Sequence, residues 1–295
     1  MKRTVCLAYL LIVMGLYGCR PNAVSPTLVQ TGNAAPAATD LPAIEQYRSA
    51  AEVKATDESE KERGITFPKL VRGNPARKEI ALTFDDGPHP DYTPRLLELL
   101  AREKVPATFF VIGKMVDKHP ELVQREAAEG HQVANHTYDH IRLVGLPQRQ
   151  AQSEIIRGSD AIARAIGKPT RYYRPPGGEY DATVIAATKA AGSTMVLWTD
   201  DPGDYADPGA DTIASRTIKT ASNGAILLLH DGAKQTLPVL PEIIRTLKAQ
   251  GYVFVTIADL AREPGDVITG GPKVLPKPSP KTSPAPDMSP NGGKP

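Results

Sequence analysis

Between Ile80 and Thr256 the chain alternates short β-rich runs with amphipathic helical segments, and this alternation restricts the fold more than any other feature. Strands are expected at Ile80–Phe84, Ala107–Ile112, Gln132–Asn135, Arg171–Arg174, Thr194–Trp198, Ala225–Leu229 and Tyr252–Thr256. The segments between them carry helix punctuation. Thr93-Pro94 offers an N-cap and a first-turn proline, with Leu96, Leu97, Leu99 and Leu100 as the buried face. Pro120 opens a helix that ends at Gly130, and Gly167, Gly192 and Gly251 close later ones. Strands separated by helices pair in parallel, so the chain is expected to be α/β, its sheet open or closed into a barrel. No internal repeat is visible.

Both ends read as non-globular. Lys2 and Arg3 precede an apolar stretch, Val5–Leu16, that is too short for a membrane span of about 20 residues and has the layout of a secretory signal. Leu16-Tyr17-Gly18-Cys19 resembles a bacterial lipobox, although Tyr17 is bulkier than the usual small residue. Residues 1–18 are therefore read as a lipoprotein signal peptide and Cys19 as the lipidation site, with an ordinary signal peptide or an uncleaved anchor as the alternative. Residues 19–66 are read as a flexible tether with some local helix around Ile44–Lys61, and 263–295 as a Pro-rich disordered tail. The folded domain is placed at 67–262. This layout predicts an exported, membrane-anchored protein facing the cell envelope. Arg20 after the cysteine favours the outer membrane where a cell has two.

Composition removes several classes of function. A formal net charge of +2 leaves no electrostatic footprint for nucleic acid. The two cysteines are Cys6 and Cys19, so the domain has no disulfide, thiol nucleophile or thiolate ligand.

The candidate chemistry lies at the ends of the predicted strands. Asp85 and Asp86 follow the first, His136 and His140 the third, Arg174 ends the fourth, Asp204 follows the fifth and His230 the sixth. These are C-terminal strand ends, where parallel α/β barrels build active sites. His136 and His140, four apart, would share one face of a helical turn, and a carboxylate from another strand would complete a three-ligand metal site of the catalytic kind. Asp85 and Asp86 are adjacent like charges, a costly pairing that a cation relieves. One would bind metal and the other act as a base towards water; spacing alone leaves open which. Asp-Asp-Gly-Pro is also a turn sequence, and His230 could be a satisfied core histidine.

Five segments carry a family resemblance. Thr83-Phe84-Asp85-Asp86-Gly87-Pro88, Asn135-His136-Thr137-Tyr138-Asp139-His140, Arg174-Pro175-Pro176-Gly177-Gly178, Asp201-Pro202-Gly203-Asp204-Tyr205 and Leu228-Leu229-His230-Asp231 resemble, in order and spacing, the signatures of the polysaccharide deacetylases of carbohydrate esterase family 4. The resemblance spans residues 75–260. It implies a distorted (β/α) barrel of about seven parallel strands with its active site at the C-terminal strand ends. It also implies a divalent metal, most often zinc with cobalt or another ion able to serve, held by Asp86, His136 and His140. By the same resemblance Asp85 is the base, oriented by Arg174, and His230 the acid, oriented by Asp204. The Gly177 N–H and the metal would hold the oxyanion, while Leu228 would line the acetyl-methyl pocket. Tyr205 would form an aromatic wall where relatives often have Trp. Gly177 stands where many relatives carry an aromatic residue, and Trp198 is either pocket floor or core. His89, His119 and His131 are read as loop and helix-end residues.

The resulting expectation is a metal-dependent N-deacetylase of an N-acetylated envelope glycan, with peptidoglycan preferred and chitin-like oligomers as a further substrate. The protein is expected to be monomeric. An O-acetyl esterase on xylan or another acetylated glycan uses the same constellation and stays open. A non-catalytic glycan-binding lipoprotein is the rival from another class.

Overall fold

Eight strands, all paired in parallel, make up the sheet of the computed structural model, which describes residues 47–262. They are β1 (Lys69–Leu70), β2 (Glu79–Asp85), β3 (Thr108–Val111), β4 (Gln132–Asn135), β5 (Tyr172–Tyr173), β6 (Thr194–Val196), β7 (Ala225–His230) and β8 (Val253–Val255). The order is β1-β6-β5-β4-β3-β2-β7, with β8 beside the start of β2. Beyond β6 the chain reaches β7 through the Asp200–Leu227 bridge, where the Leu228 N–H donates to the Asp200 carbonyl at 2.9 Å. This bridge turns the sheet into a distorted barrel. The helices are α1 (Ala50–Glu62), α2 (Thr93–Glu103), α3 (Gly113–Lys118), α4 (Pro120–Ala128), α5 (Gln148–Ile166), α6 (Ala182–Ala190), α7 (Ala210–Thr220), α8 (Thr236–Ala249) and α9 (Ile257–Leu260).

The two-residue period of the strands sorts their side chains into two cores. Ile80, Leu82 and Phe84 of β2 and Ala225, Leu227 and Leu229 of β7 join the core that includes Leu96 and Leu100 of α2 and Leu240 and Ile244 of α8. Fully burying each such large side chain stabilises the fold by about 1.5–3 kcal/mol. The alternate residues Ala81, Phe110, Ala134, Ile226 and Leu228 belong to the other core. Continuing the same alternation puts Asp85 in line with Ala81 and His230 in line with Leu228. The polar residues thus rise from the inward face of an apolar barrel.

All seven predicted strands are present with ends displaced by at most a few residues, and β1 is an additional one. Two local expectations are corrected. Thr93 is the first residue of α2 and makes no cap bond; Tyr92 stands at the N-cap. The Thr93 hydroxyl instead accepts the His89 N–H at 2.7 Å and donates to Asp231. His136–His140 is not a helical turn, because Thr137 and His140 take left-handed backbone angles (φ 65° and 56°).

Of the segment 19–66, read as a flexible tether with some local helix around Ile44–Lys61, the helix is present as α1, and the flexible reading is corrected over 47–66. Ser49 caps α1 in a reciprocal capping box with Glu52, and Val53, Asp57 and Glu60 form a buried face at i, i+4 and i+7. Lys69, only 2% exposed, sits between Asp57 (2.8 Å) and Glu60 and fastens the helix to β1. The buried face of α1 is mostly charged, so the segment has no apolar periodicity to betray it. The signal peptide and Cys19, the tether up to residue 46 and the tail at 263–295 lie outside the described residues.

Removing one partner from a buried ion cluster leaves the others uncompensated, at a cost of about 3–5 kcal/mol. Lys69→Met is therefore expected to lower the unfolding free energy by about that amount and to expose α1 to protease. Thermal denaturation and limited proteolysis of the variant beside wild type check both effects.

Candidate active site

Three donor atoms converge at the mouth of the barrel. Asp86 Oδ1 lies 2.9 Å from His140 Nε2 and 3.4 Å from His136 Nε2, and the two imidazole nitrogens are 3.2 Å apart. Tetrahedral ligands about 2.0–2.1 Å from an ion would stand ~3.3 Å from one another, so the triangle has the size of a metal site. The chemistry of the donors agrees. His136 Nδ1 is 2.9 Å from the Arg174 carbonyl, an obligate acceptor, which places the ring proton there and leaves a lone pair on Nε2. Asp86 Oδ1 is buried yet makes no hydrogen bond within the protein. Burial opposes the charge of Asp86, but the two imidazoles outweigh it and hold the carboxyl well below its usual range. For His140 burial wins over Asp86, lowering the imidazole pKa and favouring the neutral form that ligates. Asp86, His136 and His140 thus fit a divalent cation.

These residues meet because the backbone bends sharply. The His136 N–H extends β4 by bonding to the Val111 carbonyl at 2.8 Å. The loop then folds back, pinned by the Asp139 N–H to Glu154 Oε2 (2.8 Å) and by Lys114 Nζ to the Asp139 carbonyl (2.8 Å). Asp86 is itself left-handed (φ 73°). Non-glycine residues in this region carry strain, which persists only where surroundings enforce it.

Asp85 takes a different path from its neighbour. Its Oδ1 accepts from Arg174 Nη1 at 2.6 Å, and its Oδ2 stands 3.6 Å from His136 Nε2. Arg174 is fully buried, with further bonds to Thr83 Oγ1 (3.0 Å) and to the carbonyls of Val196 and Leu197 (both 3.3 Å). Its guanidinium lies 4.0 Å over the Phe110 ring. The carboxylate beside the metal triangle is therefore rigidly held.

On the adjacent strand His230 is the register partner of Asp85. Its Nδ1 donates to Asp204 Oδ1 at 2.7 Å, and its backbone N–H donates to Asp204 Oδ2 at 2.9 Å. Thr236 Oγ1 supplies a further donor to Oδ2 at 2.7 Å. Nε2 is left without a partner. Burial disfavours the charged imidazole, but the bond to Asp204 and the charges of Asp204, Asp86 and Asp85 outweigh it and push His230 up to about 9. Nδ1 is committed to Asp204, and the raised pKa favours a proton on the free Nε2 as well.

The remaining expected residues surround these groups. Gly177 and Gly178 form a short 3-10 turn with left-handed angles (φ 65° and 69°). A Cβ on Gly178 would approach Trp198 to 2.4 Å, so Trp198, 1% exposed, is packed beneath the turn as core. Leu228 is fully buried two residues below His230. Tyr205 is 44% exposed and meets His230 edge-on at 5.4 Å. Sequence reasoning missed Tyr47, which precedes α1 and whose ring also meets His230 edge-on, at 5.3 Å. Its one sequence signal was the Ser49-x-x-Glu52 capping box, which marks the start of α1 two residues further on. His131 proves buried, its Nδ1 accepting the Ala107 N–H at 3.1 Å.

The His230–Asp204 pair has a pH signature. Because the folded pKa (about 9) exceeds the ordinary 6.5, its stabilisation is complete below about pH 6.5 and is lost as pH rises through about 9. Asp204→Asn removes the main force raising the pKa and should move that loss to lower pH. NMR titration of the His230 ring and stability measured from pH 6 to 10 are expected to shift together.

Comparison with known proteins agrees with this geometry. Residues 72–196 match the family model described as polysaccharide deacetylase. A peptidoglycan-N-acetylglucosamine deacetylase of Bacillus cereus is 42% identical over 190 residues, covering 63% of this chain and 89% of the relative. A chitooligosaccharide deacetylase of Sinorhizobium fredii is 36% identical over 203 residues, covering 64% and 93%. The crystal structure of a peptidoglycan N-acetylglucosamine deacetylase bound to an N-hydroxybenzamide superposes with a TM-score of 0.66 at 31% identity, covering 71% of this chain and 98% of that one. With the barrel, the three-donor triangle and these likenesses together, the chain belongs to the polysaccharide deacetylase family, carbohydrate esterase family 4.

Proposed function

We propose that this chain hydrolyses the N-acetyl groups of N-acetylglucosamine residues in an envelope glycan, with peptidoglycan as the preferred substrate, releasing acetate and a free sugar amine. The observation that carries this reading is the placement of a carboxylate restrained by Arg174 and an imidazole paired with Asp204 on register-paired strands beside a three-donor triangle. A pure glycan binder would have no use for that combination.

Asp86, His136 and His140 would hold the ion, with zinc the best match to two imidazoles and one carboxylate. When bound, a divalent ion supplies Lewis acidity that polarises the acetamide carbonyl and eases deprotonation of water. Asp85, fixed by Arg174, accepts the proton as the water oxygen bonds to the carbonyl carbon. Backbone N–H of the Pro176–Gly178 turn, at Gly177, is assigned to the oxyanion. His230 Nε2 donates a proton to the sugar nitrogen as the C–N bond breaks, and Asp204 stabilises the imidazolium until then. Leu228 is assigned to the acetyl methyl and Tyr205 to the sugar.

Export and lipidation at Cys19 belong to the same proposal, since a membrane-tethered enzyme would meet the wall polymer first. Support comes from Lys2, Arg3 and the Leu16–Cys19 segment.

Three variants test the roles. Asp85→Asn is expected to keep the metal and lose about 10²–10⁴-fold in turnover, the range of general acid–base catalysis. His230→Ala should likewise keep metal while losing turnover. Asp86→Asn should lose metal affinity, with excess zinc restoring part of the activity. Metal content and acetate release from N-acetylglucosamine oligomers, with acetylxylan in parallel, decide the matter. Metal loss in Asp85→Asn with retention in Asp86→Asn would exchange the two roles, and faster release from acetylxylan would make the protein an O-acetyl esterase. For the anchor, labelled fatty acid is expected to enter wild type and not Cys19→Ala.

A further inference from the structure

We propose that Tyr47, carried on the arm ahead of the barrel, is a substrate-contacting residue that forms with Tyr205 an aromatic wall for a sugar ring beside His230. The proposal rests on the deacetylase reading above. The Tyr47 and Tyr205 rings stack at 4.4 Å with an interplanar angle of 30°. Both meet the His230 imidazole edge-on, at 5.3 Å and 5.4 Å. His230 Nε2 is the atom assigned to the departing nitrogen, and that nitrogen is bonded directly to the sugar ring. An accessible ring beside His230 is therefore placed to meet the sugar. Aromatic rings suit the C–H face of a pyranose, which is apolar although its rim is hydroxylated. Tyr205 keeps 44% of its surface open.

Tyr47 is held in place rather than lying there by chance. One residue on, the Arg48 N–H donates to the Gly177 carbonyl at 3.1 Å. The Arg48 side chain bonds to the Gly178 carbonyl (3.3 Å) and the Glu52 carbonyl (2.9 Å), and lies 5.4 Å over the Tyr180 ring. Two residues on, Ser49 starts the capping box of α1, whose Val53 is fully buried. The arm thus joins the turn assigned to the oxyanion with the aromatic pair at the acid. Burial, then the charges of Asp86 and Asp85, push the Tyr47 hydroxyl up, so the ring adds no negative charge beside the carboxylates.

The experiment uses the full-length, metal-loaded protein and β-1,4-linked N-acetylglucosamine oligomers. Tyr47→Ala is expected to raise KM on the order of tenfold, the size of one lost aromatic contact, with a smaller change in kcat and unaltered metal content. Tyr47→Phe, which keeps the ring, should recover most of the lost affinity. Binding of the trisaccharide to metal-depleted protein, followed by calorimetry, should weaken in parallel without any turnover. If Tyr47→Ala does not fold, Tyr47→Leu is read in the same way. An unchanged KM, or a rise in kcat/KM as for a strap that blocks the site, overturns the proposal while leaving the deacetylase reading intact. Inactivity of wild type on every oligomer overturns the deacetylase reading and the role of Tyr47 with it.

Discussion

The buried ion pair between Arg174 and Asp85 is the contact on which the rest of the site depends. Arg174 lies wholly inside the barrel, and a charge there is tolerable only if every donor finds an acceptor. Each of its three nitrogens has an acceptor, among Asp85, Thr83 and the carbonyls of Val196 and Leu197, which ties β2 to the chain at and beyond β6. Its own carbonyl faces His136 Nδ1 and so sets the tautomer of that imidazole. One residue therefore fixes the Asp85 carboxylate, orients the His136 imidazole and spans the barrel. Burying an ion pair gains little net stability; here the gain is in the position of the carboxylate.

The same economy separates two adjacent aspartates. Asp85 ends β2 pointing inward to the arginine, whereas Asp86 adopts a left-handed angle and presents its carboxylate to the histidines. Two like charges in sequence are thereby given different partners, one a fixed guanidinium and the other a cation site. His230 completes the set with the opposite polarity. Asp204 and the neighbouring carboxylates favour its charged form, so a fixed carboxylate and an imidazole inclined to hold a proton stand side by side in one small volume.

The arm ahead of the barrel extends this site. Its helix is fastened by Lys69 between two acids, and its first residues bond to the Gly177–Gly178 turn. A segment with a mostly charged buried face has joined a barrel whose own residues are largely apolar. It brings an aromatic ring to a site whose nearby turn has glycines at 177 and 178, at least one of which must lack a side chain because Trp198 occupies the space.

Much was legible in the residues themselves. The alternation of β-rich runs and helical segments determined a parallel α/β fold, because period two and period 3.6 are local consequences of backbone geometry. The position of each polar residue directly after an apolar run determined that Asp85, Asp86, His136, Arg174 and His230 would share one rim, since parallel strands all point the same way. Only the tertiary structure decided what depends on approach between distant segments. Left-handed backbone at Asp86, Thr137 and His140, and not a helical turn, brings Asp86, His136 and His140 together. Trp198 lies beneath Gly178, and Thr93 serves Asp231 rather than its own helix. The arm at 47–66 is the clearest case: Asp57 and Glu60 look like solvent-facing residues until Lys69 arrives from β1 to pair with them. No local pattern encodes that pairing, because its energy exists only once the two segments are in contact.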